Sequence, residues 1–126
     1  MNFKKRQLIV ISLIIMFSIF SKGSAKYEKL IYDFKIESIT GSEIDFLDYK
    51  NKAILIVNVA SKCGFTNQYD NLQKLWVDYK KKGLIVIGFP SNQFGSQEPG
   101  IESEIKDFCE TNFNINFPMT KKIDVK

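Results

Sequence analysis

Apolar and polar positions alternate twice along the stretch 34–46. Phe34-Lys35-Ile36-Glu37-Ser38-Ile39 and Glu43-Ile44-Asp45-Phe46 each have a period of two, and Thr40-Gly41-Ser42 separates them. Period two is the pleat of a half-buried strand, so the pattern predicts a β-hairpin. Ala53-Ile54-Leu55-Ile56-Val57-Asn58-Val59-Ala60 is different: it is almost wholly apolar and rich in β-branched residues, the pattern of a strand buried on both faces. After a turn at 61–66 the period changes to that of a helix, with Tyr69, Leu72, Leu75, Trp76 and Tyr79 on one stripe. Lys80-Lys81-Lys82-Gly83 reads as its stop, cations followed by glycine. Leu84-Ile85-Val86-Ile87-Gly88-Phe89 predicts the next buried strand, and a polar loop runs from Pro90 to Gly100. Ile101, Ile105, Phe108 and Cys109 mark a second, short amphipathic helix, which Asn112 and Asn114 interrupt. A last strand is expected around Phe117 to Val125. Strand, helix, strand with apolar strands is a βαβ unit holding a parallel pair, so the fold class is α/β. The Trp76 stripe is expected to be core rather than a platform for a cofactor.

The first 25 residues have another character. Lys4, Lys5 and Arg6 precede the apolar run Leu8–Phe20, and Ser21-Lys22-Gly23-Ser24-Ala25 ends in small residues. This is the layout of a secretory signal peptide over 1–25, with cleavage after Ala25 and one domain over 26–126. The thirteen residues of that run, apolar apart from Ser12 and Ser18, extend about 20 Å at 1.5 Å each, short of the ~30 Å a membrane anchor must cross. The expectation is an exported protein, periplasmic or secreted, with no stable membrane association after cleavage. The leader also explains the charge. The formal net charge of +4 comes from Lys4, Lys5, Arg6 and Lys22; beyond them fourteen lysines face fourteen acidic residues. A neutral mature chain gives nucleic acid no electrostatic footprint, so nucleic-acid binding is excluded as a function.

Two cysteines, Cys63 and Cys109, and no histidine define the chemistry open to the chain. Without histidine there is no His-activated nucleophile, no Cys/His zinc site and no His-ligated haem. What remains is thiol chemistry without metal or cofactor. In an exported chain, two cysteines would by default form a structural disulfide. Cys63, however, lies just past the carboxyl end of the first buried strand and just before a helix. In an open α/β sheet that edge collects chemistry, and a helix N-terminus stabilises a thiolate. Position alone leaves two readings open, a nucleophile and a buried structural thiol. A thiol–disulfide oxidoreductase of Cys-x-x-Cys type is disfavoured, because Thr66 stands where the second cysteine belongs. A copper-delivery fold would want a second nearby cysteine and a histidine.

The segment Asn58-Val-Ala-Ser-Lys-Cys-Gly-Phe-Thr66 resembles the signature of the glutathione peroxidase family around its reactive cysteine or selenocysteine. Phe89-Pro-Ser-Asn-Gln-Phe-Gly-Ser-Gln-Glu-Pro99 resembles that family's second signature. Tyr69, Leu72, Leu75, Tyr79 and Gly83-Leu84 fall at the family spacing between them. Tyr32-Asp33-Phe34 and Asp48-Tyr49-Lys50 match its lead-in, so the resemblance runs from about Tyr27 to the last residue. It implies a thioredoxin-like fold and a thiol-dependent peroxidase acting in antioxidant defence. Cys63 would attack the O–O bond of hydrogen peroxide or an organic hydroperoxide and become a sulfenic acid. Gln97 would be the glutamine of the family's catalytic tetrad, bonded to the reactive sulfur. Cys109 would be the resolving cysteine that condenses with the sulfenate, with an external thiol as the alternative. Ser91 stands where many relatives have a further cysteine. The reductant implied is glutathione or a thioredoxin-like dithiol, and Cys109 favours the dithiol. The other two tetrad members, in a Trp-Asn-Phe segment, would follow Lys126 together with two strands and the terminal helix. Trp76, on the core stripe, does not replace that tryptophan.

Overall fold

Val86 and Ile87 carry no solvent-accessible surface, and the fold is arranged around the strand that holds them. The computed structural model describes residues 28–125, so the leader lies outside it. The hairpin forms as the alternation predicts: β1 (Lys35–Glu37) pairs antiparallel with β2 (Glu43–Asp45), Ile36 opposite Ile44. β3 (Ala53–Val59) and β4 (Leu84–Pro90) form the parallel pair, in register from Ala53 opposite Leu84 to Val59 opposite Pro90. Between them runs α1 (Gln68–Tyr79), closed by a 3-10 turn over Lys80–Lys82 and by Gly83 at φ 93°. That left-handed conformation is cheap only for glycine, and the Gly83 carbonyl at once accepts the Ala53 N–H at 2.9 Å. α2 (Glu102–Phe113) follows the polar loop.

The two faces of the parallel pair bury different residues. Leu55, Val57, Val59, Leu84 and Val86 face the helices, in a core with Tyr69, Ile105, Cys109, Ile115, Phe117 and Met119. Ile54, Ile85 and Ile87 face the 3-10 turn Phe46–Tyr49, packed on Phe46. Each fully buried aliphatic side chain here contributes about 1.5–3 kcal/mol.

Several expectations are corrected. β4 is buried along most of its length, but β3 is not: only Val59 is buried, and Ile56 is 48% exposed. A continuous apolar run looks the same whether one face is covered or both, and the Phe46 turn covers only one end of β3's second face. The α1 stripe also stops short of Tyr79, which is 46% exposed beneath the Lys82 ammonium, 4.6 Å from its ring centroid. Trp76 is half-buried and donates its Nε1–H to Asn116 Oδ1 at 2.9 Å. Asn112 does not interrupt α2. Its amide donates to the Phe108 carbonyl at 2.8 Å within the helix, and Asn114, at φ 52°, ends it.

The expected strand at 117–125 is reduced to two isolated bridges, Met119 with Gly88 and Thr120 with Ser38. Pro118 has no N–H to give a ladder, and the remaining donors turn to alternate neighbours. Thr120 bonds Gly88 at 2.9 Å, Lys121 bonds Glu37 at 3.0 Å, and Ile123 bonds Pro90 at 3.0 Å. This segment therefore ties the hairpin to β4.

Gly88 is where the tie is tightest. A Cβ there would lie 3.2 Å from Phe117 Cε2 and 3.4 Å from Met119 Cγ. Both neighbours are buried and would have to shift to admit it. Gly88→Ala should therefore destabilise the fold by about 1–3 kcal/mol, read as a lower urea midpoint at unchanged slope. An unchanged midpoint would show that the 117–119 segment is not packed as described.

Candidate functional site

Because β3 and β4 are parallel, the loops that leave their carboxyl ends start side by side. The first carries Cys63 and the second carries Gln97. Two backbone bonds link the loops: Ser91 N–H to Val59 O at 3.4 Å and Lys62 N–H to Gln97 O at 2.9 Å. Residues 34 apart in sequence are thereby held at one edge of the sheet.

The Cys63 turn is stapled from within by Thr66. Its Oγ1 accepts the Cys63 N–H at 3.0 Å and lies 3.0 Å from the Ala60 carbonyl and 2.8 Å from that of Cys63. Thr66 N–H closes the turn on Cys63 O at 3.1 Å. The residue that replaces a second cysteine is thus the one that shapes the loop. α1 starts at Gln68, five residues beyond Cys63, so the sulfur lies in the turn before the helix, as expected, but away from the helix N–H groups expected to stabilise its thiolate. The N–H that reaches Sγ belongs to Phe65 in the turn itself, at 3.4 Å. Cys63 is half-buried and lines a shallow hollow of about 70 Å³ with Val57, Phe65, Thr66, Tyr69 and Leu72. Phe65 is 73% exposed at its rim.

Gln97 is half-buried on the neighbouring loop. Its side chain lies back along Gly95, whose Cβ position would be 3.6 Å from Gln97 Cγ. The structure thus brings together the backbones of the Cys63 and Gln97 loops, while the Gln97 side chain is not among those lining the Cys63 hollow. Cys109 lies on α2, fully buried, and both cysteines are free thiols. Burial pushes the Cys109 thiol up to about 11, with the Glu98 and Glu110 carboxylates adding to the rise. Burial likewise raises the neighbouring Tyr69 hydroxyl, and its contact with the Cys109 thiol adds to the rise.

One group at this edge is invisible in the sequence pattern. Glu98 is 1% exposed, and its Oε2 accepts the Ser61 N–H at 2.8 Å. A glutamate between Gln97 and Pro99-Gly100 reads as a polar surface loop, and no hydrophobic period flags it. The one available signal was its place inside the second signature.

Residues 31–126 match the family model described as glutathione peroxidase. The chain belongs to the glutathione peroxidase family. It is 50% identical over 95 residues to the glutathione peroxidase homolog BsaA of Bacillus subtilis (strain 168), covering 75% of this chain and 59% of that protein. It is 51% identical over 94 residues to the glutathione peroxidase-like peroxiredoxin GPX5 of Chlamydomonas reinhardtii, covering 75% and 58%. The crystal structure of T. cruzi GPX1 superposes with a TM-score of 0.57 at 36% identity, over 78% of this chain and 57% of that one. The fold is accordingly thioredoxin-like α/β. The chain spans about three fifths of the length of the curated relatives it matches.

The buried thiol leaves a measurable trace in stability. Its folded value lies above the usual 9.0, so the native state holds its proton more tightly than the unfolded chain. Stability is intact below pH 9 and should fall as pH rises through about 11. The loss should be roughly 2–3 kcal/mol. Subtracting the denaturation curve of Cys109→Ala isolates this slope from lysine titration; parallel curves for the two proteins would contradict it.

Proposed function

We propose that the chain carries the reactive-cysteine part of a thiol-dependent peroxidase that reduces hydrogen peroxide or organic hydroperoxides in antioxidant defence. The observation that carries this reading is the placement of Cys63. It sits half-buried in a stapled turn at the carboxyl edge of a parallel pair, with the Phe65 N–H directed at its sulfur. That placement occurs within a chain of the glutathione peroxidase family.

The chemistry is a two-electron displacement at oxygen. The Cys63 thiolate attacks one peroxide oxygen, the O–O bond breaks, and the leaving alkoxide or hydroxide takes up a proton to give alcohol or water. Cys63 becomes a sulfenic acid. Gln97 is assigned the hydrogen bond to the reactive sulfur, which asks its side chain to turn from Gly95 toward Cys63. Cys109, as resolving thiol, then forms a Cys63–Cys109 disulfide and releases the sulfenic oxygen as water. Its full burial means that α2 must open locally for this step, since a disulfide needs Cα atoms about 4.4–6.8 Å apart. A thioredoxin-like dithiol suits the disulfide as reductant; glutathione suits a cycle in which Cys109 takes no part. The basic and apolar leader supports an exported location, periplasmic or secreted.

Cys63→Ser should abolish peroxide consumption, because a serine hydroxyl is neither ionised at neutral pH nor soft enough to attack the O–O bond. Retained turnover in that variant would end the proposal for Cys63. One equivalent of peroxide followed by peptide mapping should give a Cys63–Cys109 linked peptide. Sulfenic or sulfinic acid at Cys63, with Cys109 still alkylatable after unfolding, would assign resolution to an external thiol instead. N-terminal sequencing of the exported protein should begin at Lys26; an intact Met1 would overturn the leader reading.

A further inference from the structure

Glu98 is the single buried charged side chain among the described residues, and its setting is costly. One carboxylate oxygen accepts the Ser61 N–H at 2.8 Å. The other, Oε1, and the nearby Ser61 hydroxyl are both buried without a well-formed hydrogen bond, so the contact between them is a poor one. Burial holds the Glu98 carboxyl above the usual glutamate range, although Ser61, Lys122 and Lys62 all favour its ionised form. Glu98 and Glu104 line a second hollow with Ser61 and Lys62, and the Cys109 and Tyr69 groups feel the charge of Glu98. A group whose folded value is raised gives up stability as pH climbs through that value, so ionising Glu98 weakens the fold. A neutral or apolar side chain of the same size would be the more stable occupant.

What the carboxylate holds in exchange is the turn before Cys63. Ser61 N–H is bound by the Glu98 side chain, and Lys62 N–H by the Gln97 carbonyl at 2.9 Å. The strap is itself anchored. Glu98 N–H donates to Asn92 Oδ1 at 2.9 Å, and the Lys122 ammonium donates to the Gly100 carbonyl at 2.7 Å. An N–H bound to a carboxylate is shorter and stronger than one bound to a neutral acceptor. We propose that Glu98 is a positioning residue for Cys63. Its buried carboxylate clamps the Ser61 amide from beneath and so sets where the Cys63 sulfur is presented. This rests on the reading of Cys63 as the reacting thiol.

Two variants of the full chain separate the clamp from a merely structural role. Glu98→Gln keeps an acceptor and loses the charge; Glu98→Met keeps the volume and loses the acceptor. Both should raise the urea midpoint. Glu98→Met should free the Ser61 amide to exchange with solvent while Lys62 stays protected, and should slow the reaction of Cys63 with hydrogen peroxide about tenfold. Glu98→Gln should restore the rate to within roughly threefold of the parent. A Glu98→Met protein that is more stable and reacts at the parental rate would overturn the proposal, as would a Ser61 amide that stays protected. Alkylation of Cys63 by iodoacetamide reads the same presentation without peroxide. If the parent Cys63 alkylates selectively but ignores peroxide, the peroxidase reading fails while amide exchange and alkylation still decide the role of Glu98.

Discussion

Because β3 and β4 run parallel with Val59 opposite Pro90, both strands end at the same level, and every feature of the candidate site follows from that register. An antiparallel pairing would send the loop after one strand to the opposite end of the sheet. The parallel pairing depends in turn on α1, which carries the chain back along the sheet and must end where β4 begins. Gly83 makes that ending sharp, and its bond to Ala53 fixes the first rung of the ladder. From that rung, seven residues of β4 lead to Pro90, where the second loop departs. A one-residue slip would turn Ile85 and Ile87 toward the helices and move the Gln97 loop relative to the Cys63 turn.

Much of this was legible in the chain because periodicity reports burial directly. The hairpin, the parallel pair, both helices and the glycine stop show the pattern their environment demands. Cys109 was readable as buried because it shares a helical stripe with Ile105. What periodicity does not report is how many faces of an apolar strand find a partner, which is why β3 looked as deep as β4. It also overstated the 117–125 strand, since Val125 and Ile123 suit a ladder that Pro118 prevents from forming. The site divides in the same way. Cys63 was found by its position and by its signature. The donor to its sulfur was expected from the helix N-terminus and comes from Phe65 in the turn, because the direction of an amide within a turn is not written in any hydrophobic period. Thr66, read only as a missing cysteine, turns out to build the loop.

The two buried ionisable groups near this edge pull the energetics in opposite ways. Cys109 is neutral when protonated, so its burial among Val86, Ile105 and Phe117 costs nothing until high pH. Glu98 is an acid whose burial holds it above the usual glutamate range, so ionising it where it sits opposes folding. Natural cores rarely keep a buried, poorly satisfied carboxylate unless that group holds something that a neutral side chain would hold less well. Here the held object is the backbone leading into Cys63.

The proposed resolution by Cys109 would set a second constraint on the same region, because the helix that hides the thiol is secured at both ends. At its start, Glu104 reaches back to the Ile101 N–H at 3.0 Å, and the Lys122 N–H lies 3.3 Å from Glu102 Oε1. At its end, the Asn114 N–H bonds Glu110 O at 3.0 Å and the Ile115 N–H bonds Cys109 O at 3.2 Å, while Phe113 packs on Tyr69 with ring centroids 5.3 Å apart. The start is the weaker anchor: Ile101 is 60% exposed, whereas Ile115 is buried. Opening from the start would also loosen the Gly100 side of the strap that Lys122 secures. Release of Cys109 would then be coupled to relaxation of the turn beneath Cys63. Under the proposed cycle, a thiol sealed until its partner's turn relaxes would be shielded from premature oxidation, and the buried carboxylate and the buried cysteine would be linked through one short segment, Glu98 to Ile101.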